Sequence, residues 1–222
     1  MAEADPTIRF YFDLSCPYAY LGSLQLESIE ARTACRVALR PFLLGGVFAA
    51  LGQAQNMSTT LSPPKQRHNR DDLLRQAAWL GAKLRSPLRH PNRTVLALRA
   101  LLCVPEAARR DVMHSFYAAY WQEAEDIADP TVLAMRLDAL GLDAESILRT
   151  ADGDEAKTAL RRATDEALAV GVFGAPAFVV GDQLYWGADR VEMVVCAARD
   201  GWNGAADGDA FRFNQTSNDA AG

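Results

Sequence analysis

The feature that most limits how this chain can fold is the order of three patterns between Ile8 and Ile29. An apolar and aromatic run, Ile8 to Phe12 with only Arg9 interrupting it, leads into Asp13-Leu14-Ser15-Cys16-Pro17, after which Tyr20, Leu21, Leu24 and Ile29 recur at helical spacing. A nearly continuous apolar run suits a strand buried on both faces. Proline fits the first turn of a helix because its missing N–H would have no intrahelical partner there. The pattern therefore predicts a strand, then one helix from Pro17 to about Ile29 that begins at the Cys16 thiol. A helix start directs unpaired N–H groups and the positive end of its dipole at whatever precedes it, which favours a thiolate. Cys16 is thus a candidate nucleophile, a candidate for a mixed disulfide, or a hydrogen-bonding partner for a bound thiol. The plainer alternative is a small apolar side chain at a helix start.

Arg36 to Arg40 alternates with the period of a strand and Pro41 ends it, so the first part of the chain reads as a β-α-β unit with parallel strands and a right-handed crossover. From Gly52 to Lys65 the sequence is rich in Gln, Ser, Thr and Pro and reads as a long loop, where Asn56 and Lys65 can bring an amide and an ammonium to a site. Helical patterns then cover 71–80, 92–103, 105–125, 131–140 and 154–170, with Asp129-Pro130 as a cap and Gly141 as a stop. Strand signals return at Ala177–Val180 and Gln183–Trp186 around a Gly181-Asp182 turn, and a last helix opens at Gly187-Ala188-Asp189-Arg190. The fold class is α/β: a discontinuous domain over 7–45 and 171–200, a loop and all-α insertion over 46–170, and a flexible tail over 201–222.

The formal charge of −5, with no long Lys/Arg run, makes nucleic acid and anionic membrane poor partners. The acidic start lacks the pattern of a secretion signal and no apolar run reaches membrane-spanning length. Cys16, Cys35, Cys103 and Cys196 show no C-x-x-C spacing, and His68, His90 and His114 show no ligand spacing, so no metal site is expected. Reduced thiols and a cytoplasmic location fit this usage.

The strand order resembles a thioredoxin-like fold split by an all-α helical insertion, and the residues are more specific than the order. Phe12 to Leu21 (FDLSCPYAYL), Arg40 to Gly46 (RPFLLGG), Pro63-Pro64-Lys65, Gly171 to Pro176 (GVFGAP) and Trp186 to Arg190 (WGADR) resemble the 2-hydroxychromene-2-carboxylate isomerase and kappa-class glutathione transferase family, itself related to bacterial disulfide oxidoreductases. The resemblance runs from about Ile8 to Ala198. It implies glutathione as cofactor, a small aromatic carboxylate as substrate, and a homodimer. In the family the residue before the first helix's proline is usually serine, which holds the glutathione thiolate; the match here is Cys16. The resemblance further implies that Pro176 is cis, that the backbone of Ala175 pairs with the tripeptide, that Asp189 and Arg190 receive its γ-glutamyl end, and that Asn56 and Lys65 approach from the loop. Ala188 stands where some relatives carry serine. Cys16, Ala175 and Asp189 are therefore expected to converge.

Two activities follow from that resemblance. The first is a glutathione-dependent isomerase that converts a 2-hydroxychromene-2-carboxylate to trans-o-hydroxybenzylidenepyruvate in aromatic-ring degradation, with Lys65 and Arg190 as cations for carboxylates. The second is a kappa-like glutathione transferase or a single-cysteine thiol–disulfide oxidoreductase using Cys16; a second cysteine three positions later is replaced by Ala19, which excludes an internal disulfide there. A ligand-binding scaffold without catalysis is the third reading. Trp79, Tyr120, Trp121, Phe48 and Trp186 are candidates to line the aromatic pocket, each also suited to a core.

Overall fold

A computed structural model of the chain describes residues 7–55, 57–87 and 89–201. Its sheet is built on β1 (Thr7–Phe12), which lies between β2 (Arg36–Pro41) and β3 (Ala177–Val180), with β4 (Gln183–Trp186) outermost, in the order β2-β1-β3-β4. β2 runs parallel to β1 with Phe12 opposite Pro41; β3 runs antiparallel to it with Phe10 opposite Phe178. The apolar run is explained by this central place. Ile8, Phe10 and Phe12 are buried, and the Phe10 ring lies 5.4 Å from Phe12 and 4.9 Å from Phe178.

The single helix expected over 17–29 is two: α1 (Pro17–Ser23) and α2 (Leu26–Thr33). The Ser23 hydroxyl donates to the Tyr20 carbonyl at 2.7 Å, taking an acceptor that the helical ladder would otherwise use, and the Gln25 amide leaves the axis to donate to Ala188 O at 3.0 Å. Glu30 on α2 then covers the free side of the edge strand. Its carboxylate accepts from Val37 N at 2.7 Å and is itself held by Arg110 at 2.7 and 2.8 Å, while Pro41 has no donor to expose.

Everything described between β2 and β3 is helix, turn or loop, but its divisions depart from the sequence expectation. An unexpected α3 (Leu44–Ala50) precedes the loop expected over 52–65, which is itself shortened by a 3-10 turn at Met57–Thr60 and by α4 (Pro63–Trp79), starting eight residues before Asp71. α5 is Val95–Cys103. The stretch 105–125 divides into a 3-10 turn (Glu106–Ala108), α6 (Arg109–Tyr117) and a π turn (Ala118–Gln122). α7 (Pro130–Ala139) has the expected ends: Asp129 accepts from Thr131 N at 2.8 Å and Gly141 has φ 72°. α8 (Ala144–Asp152) was not anticipated, α9 spans Asp154–Ala169, and the last helix begins as a 3-10 turn (Ala188–Arg190) before α10 (Val191–Asp200). The tail expected over 201–222 lies, apart from Gly201, outside the described residues. Among the described residues no helix is long and apolar enough to cross a membrane, and no cluster of His, Cys, Asp or Glu could hold a metal ion.

One buried carboxylate ties the inserted helices to the sheet. Asp13, 1% exposed, accepts on one oxygen from Ser15 N (2.9 Å), Ser15 Oγ (3.0 Å) and Thr94 Oγ1 (2.9 Å), and on the other from Leu44 N (2.8 Å). The neighbouring carbonyls are gripped as well, Asp13 O by the Tyr117 hydroxyl at 3.3 Å and Leu14 O by the Trp121 indole at 3.0 Å. Burial pushes the Asp13 carboxyl above the usual carboxylate range, and its hydrogen bonds pull the other way. An Asp13→Ala variant strands three sets of donors in the interior at about 1–3 kcal/mol each. We expect it to melt at least about 6 °C lower, taking 2–4 °C per kcal/mol for a chain of this size, with Asp13→Asn losing less because the amide keeps one acceptor oxygen. Thermal unfolding by circular dichroism measures this, and an unchanged midpoint for Asp13→Ala contradicts it.

Candidate functional site

Cys16 occupies the cap position of α1: its carbonyl accepts from Tyr20 N at 3.1 Å and Pro17 begins the first turn. The expected activated thiolate is not what this position produces. Cys16 is 8% exposed, its thiol donates to the Ala175 carbonyl at 3.0 Å, and burial pushes its pKa up to about 12, with the Asp13 charge adding to the rise and the amides of Ala19 and Tyr18 opposing it. The helix is only seven residues long, so its dipole is small against the cost of taking a charge out of water. At neutral pH Cys16 is a protonated donor.

Ala175 is the residue brought against it. The Ala175–Pro176 peptide is cis, as the resemblance implies, and Pro176 packs so near α1 that a β-carbon on Gly22 would sit 3.3 Å from its ring. Among the described residues nothing accepts the Ala175 N–H, so one backbone donor next to the thiol is uncommitted. Pro176 O accepts from Gly187 N at 3.0 Å, which fixes the turn carrying Ala188, Asp189 and Arg190 beside this loop. Gly187 has φ 123°, and a β-carbon there would collide with the Asp189 carboxylate, so the glycine is needed for that carboxylate to fold back over the turn. Asp189 and Arg190 pair at 3.1 Å and are each about half exposed, a geometry worth little on its own. Ala188 is buried and its carbonyl is taken by Gln25.

Tyr18, missed in the sequence, stands between these groups. Its hydroxyl donates to Asn69 O on α4 at 3.2 Å, and burial, then the charges of Asp72, Cys16 and Asp189, raise its pKa to about 12. A residue two places after Cys16 in a first helical turn is the local signal that points to it. Lys65 lies in the first turn of α4 and not in a loop; it is exposed, four residues before Asn69 and so on the same helical face. Asn56 lies outside the described residues. Of the aromatic candidates, Tyr120 and Trp121 are core, Trp79 is 89% exposed at the end of α4, and the Trp186 ring lies 5.1 Å from that of Phe173, tilted by 60°. The Trp186 indole would lie 2.6 Å from a β-carbon on Gly174, which explains that glycine of the GVFGAP motif. Phe48 lines a cavity of about 460 Å³ on the other flank of the Cys16 loop, with Ser15, Leu43, Leu44, Arg93 and Val95 among its walls.

Residues 7–198 match the DSBA-like thioredoxin domain. The chain is 32% identical over 193 residues to a 2-hydroxychromene-2-carboxylate isomerase of Sphingobium xenophagum, covering 85% of this chain and 95% of the relative. It is 27% identical to glutathione S-transferase kappa 2 of Caenorhabditis elegans, covering 84% and 89%. Among solved structures, a 2-hydroxychromene-2-carboxylate isomerase superposes with a TM-score of 0.78 at 23% identity, covering 86% of this chain and 93% of the other.

The protonation of Cys16 has a direct readout. With a pKa near 12, its alkylation by iodoacetamide at pH 7 should be slower than that of an ordinary thiol by on the order of a thousandfold, while exposed Cys196 reacts first. Peptide mass spectrometry across a pH series follows both; a Cys16 rate with a midpoint at or below pH 8 contradicts the assignment.

Proposed function

The chain belongs to the DSBA-like thioredoxin domain family, within its group of 2-hydroxychromene-2-carboxylate isomerases and kappa-class glutathione transferases, and from that premise we propose that it is a cytoplasmic, glutathione-dependent isomerase acting on a 2-hydroxychromene-2-carboxylate or a closely similar aromatic acid. The observation that carries this reading is the state of Cys16, a buried, protonated donor 3.0 Å from Ala175 O with Ala19 in place of a second cysteine. A donor of that kind suits holding another sulfur's negative charge, the role that the resemblance implies for the residue before Pro17. It suits disulfide exchange poorly, because exchange needs a thiolate.

The residues present fit the tripeptide. The free Ala175 N–H and the Ala175 carbonyl offer a donor and an acceptor for an added strand, Asp189 offers a half-exposed carboxylate for an ammonium, and Arg190 offers a guanidinium for a carboxylate. Lys65 is on the face of α4 that meets Tyr18 and supports the same end. When bound, glutathione supplies a soft nucleophilic sulfur that adds reversibly to an electron-poor double bond, so that a bond otherwise fixed can rotate. Cys16 orients that sulfur by turning its single S–H from Ala175 O to the bound sulfur, which leaves that carbonyl to accept from the tripeptide. Cys16 is only 8% exposed, so little water reaches the thiol. No electrons are gained or lost overall, so no redox partner is required.

Purified protein should bind reduced glutathione and isomerise the chromene carboxylate only in its presence, as seen in the substrate's ultraviolet spectrum; full turnover without it removes the cofactor. Cys16→Ser should keep activity within about tenfold, Cys16→Ala should lose about ten- to hundredfold in kcat/KM, and Asp189→Asn should raise the glutathione KM by about tenfold. Accumulation of a stable glutathione adduct in place of the trans isomer favours the transferase alternative.

A further inference from the structure

Cys16 follows the central strand, so it has two flanks. On one lie Ala175 and Pro176, which lead into β3, and the turn Ala188–Arg190, which follows β4. On the other, beyond the end of β2, the cavity of about 460 Å³ opens between α3 and the segment leading into α5. That volume is within the range of small-ligand sites, about 300–1,000 Å³. Leu43, Leu44, Phe48 and Val95 make its walls largely apolar.

The polar groups in those walls are nearly all committed to one another. Asp13, Ser15 and Thr94 bond together, the Gln55 amide donates to Gly45 O at 3.0 Å, and Asn92 donates to Asp126 at 2.5 Å while accepting from Arg93 N at 2.8 Å. Arg93 is the exception. Among the described residues its guanidinium has no hydrogen bond or ion pair, and Asp126 meets this wall only through Asn92. Asp13 is the other charged residue of the walls, and all its bonds run inward to Ser15, Thr94 and Leu44. An apolar slot with one uncommitted guanidinium recognises a flat apolar body bearing a carboxylate.

We propose that this cavity binds the aromatic carboxylate substrate, the ring against Leu43, Phe48 and Val95 and the carboxylate on Arg93, so that it approaches the Cys16 loop at Ser15 from the β2 flank while glutathione lies on the β3 flank. This rests on the isomerase reading and adds the residue that selects the acid. It reassigns the cation for the substrate from Lys65 and Arg190, which stay with the tripeptide.

The test is equilibrium binding, with trans-cinnamate as the acidic probe and cinnamyl alcohol as the neutral one, by calorimetry or saturation-transfer NMR, on the wild-type chain and on Arg93→Ala, Arg93→Lys and Ala49→Trp. Ala49 is exposed at the cavity, so a large side chain there closes it without disturbing the core. Near-ultraviolet circular dichroism checks that each variant is folded. We expect Arg93→Ala to weaken cinnamate by tenfold or more and leave the alcohol unchanged, Arg93→Lys to recover part of the loss, and Ala49→Trp to weaken both. Glutathione affinity should stay constant throughout. Equal losses for acid and alcohol in Arg93→Ala, indifference of cinnamate to Ala49→Trp, or no cinnamate binding to the folded wild type overturns the proposal. A wild type that binds cinnamate in this way but not glutathione overturns the isomerase reading and leaves the cavity assignment standing.

Discussion

The buried carboxylate of Asp13 is the point on which the rest of the structure depends. It stands at the end of the central strand and collects donors from its own loop, from the start of α3 and from the residue before α5, elements far apart in the chain. Each donor is a group whose burial without a partner would cost as much as the bond returns. The fold of the sheet and the placement of the helices are therefore one problem with one solution: the loop 13–16 can close only where the inserted helices deliver Thr94, Tyr117 and Trp121. Because Cys16 is the next step of that loop, its position is inherited from the same contacts.

The same carboxylate also shapes the chemistry of the thiol. Two effects compete at Cys16. The amides of Tyr18 and Ala19 favour the thiolate, whereas burial and the nearby Asp13 charge favour the protonated form, and the second pair prevails. A helix of full length and open access is what lowers a cysteine pKa elsewhere; here α1 is short and Ser23 ends it early. A thiol kept protonated is a donor, and a donor is what a neighbouring sulfur anion needs.

Legibility in the sequence tracks how local the cause is. α7 was readable because Asp129, Pro130 and Gly141 mark both ends, and the hairpin was readable because Gly181 takes φ 60° at its turn. α8 carries a cap of the same kind, Asp143 accepting from Ser146 N at 2.9 Å, and α4 has Ser62-Pro63-Pro64 at its start; both are local start signals that the sequence reading did not use. The break after Ser23 combines a local bond, Ser23 Oγ to Tyr20 O, with the distant contact of the Gln25 side chain to Ala188 O, and in the π turn at 118–122 Trp121 reaches Leu14 O; no local pattern announces the distant contacts. Among the candidate site residues, Cys16, Ala175, Pro176 and Asp189 were legible because they lie in short signatures. Arg93 belongs to no signature. Its interest comes from being the uncommitted charge of a cavity, a property that exists only once the walls are assembled.

The topology explains why a thiol in this place has two flanks to use. β1 and β2 run parallel, so both end at the same side of the sheet, and β3 runs antiparallel to β1, so it begins there. An insertion between β2 and β3 must then leave and return on the side where Cys16 lies, Pro41 at one end opposite Phe12 and Ala177 at the other opposite Tyr11. Open α/β sheets bind ligands beyond the carboxyl ends of their parallel strands for the same reason, since that is where chain segments diverge. Here the divergence is widened by the inserted helices: the departing segment forms one wall with α3, and the returning segment supplies Ala175 and Pro176. Under the proposed reading two ligands meet at one sulfur donor, and this connectivity gives each a separate approach to the Cys16 loop.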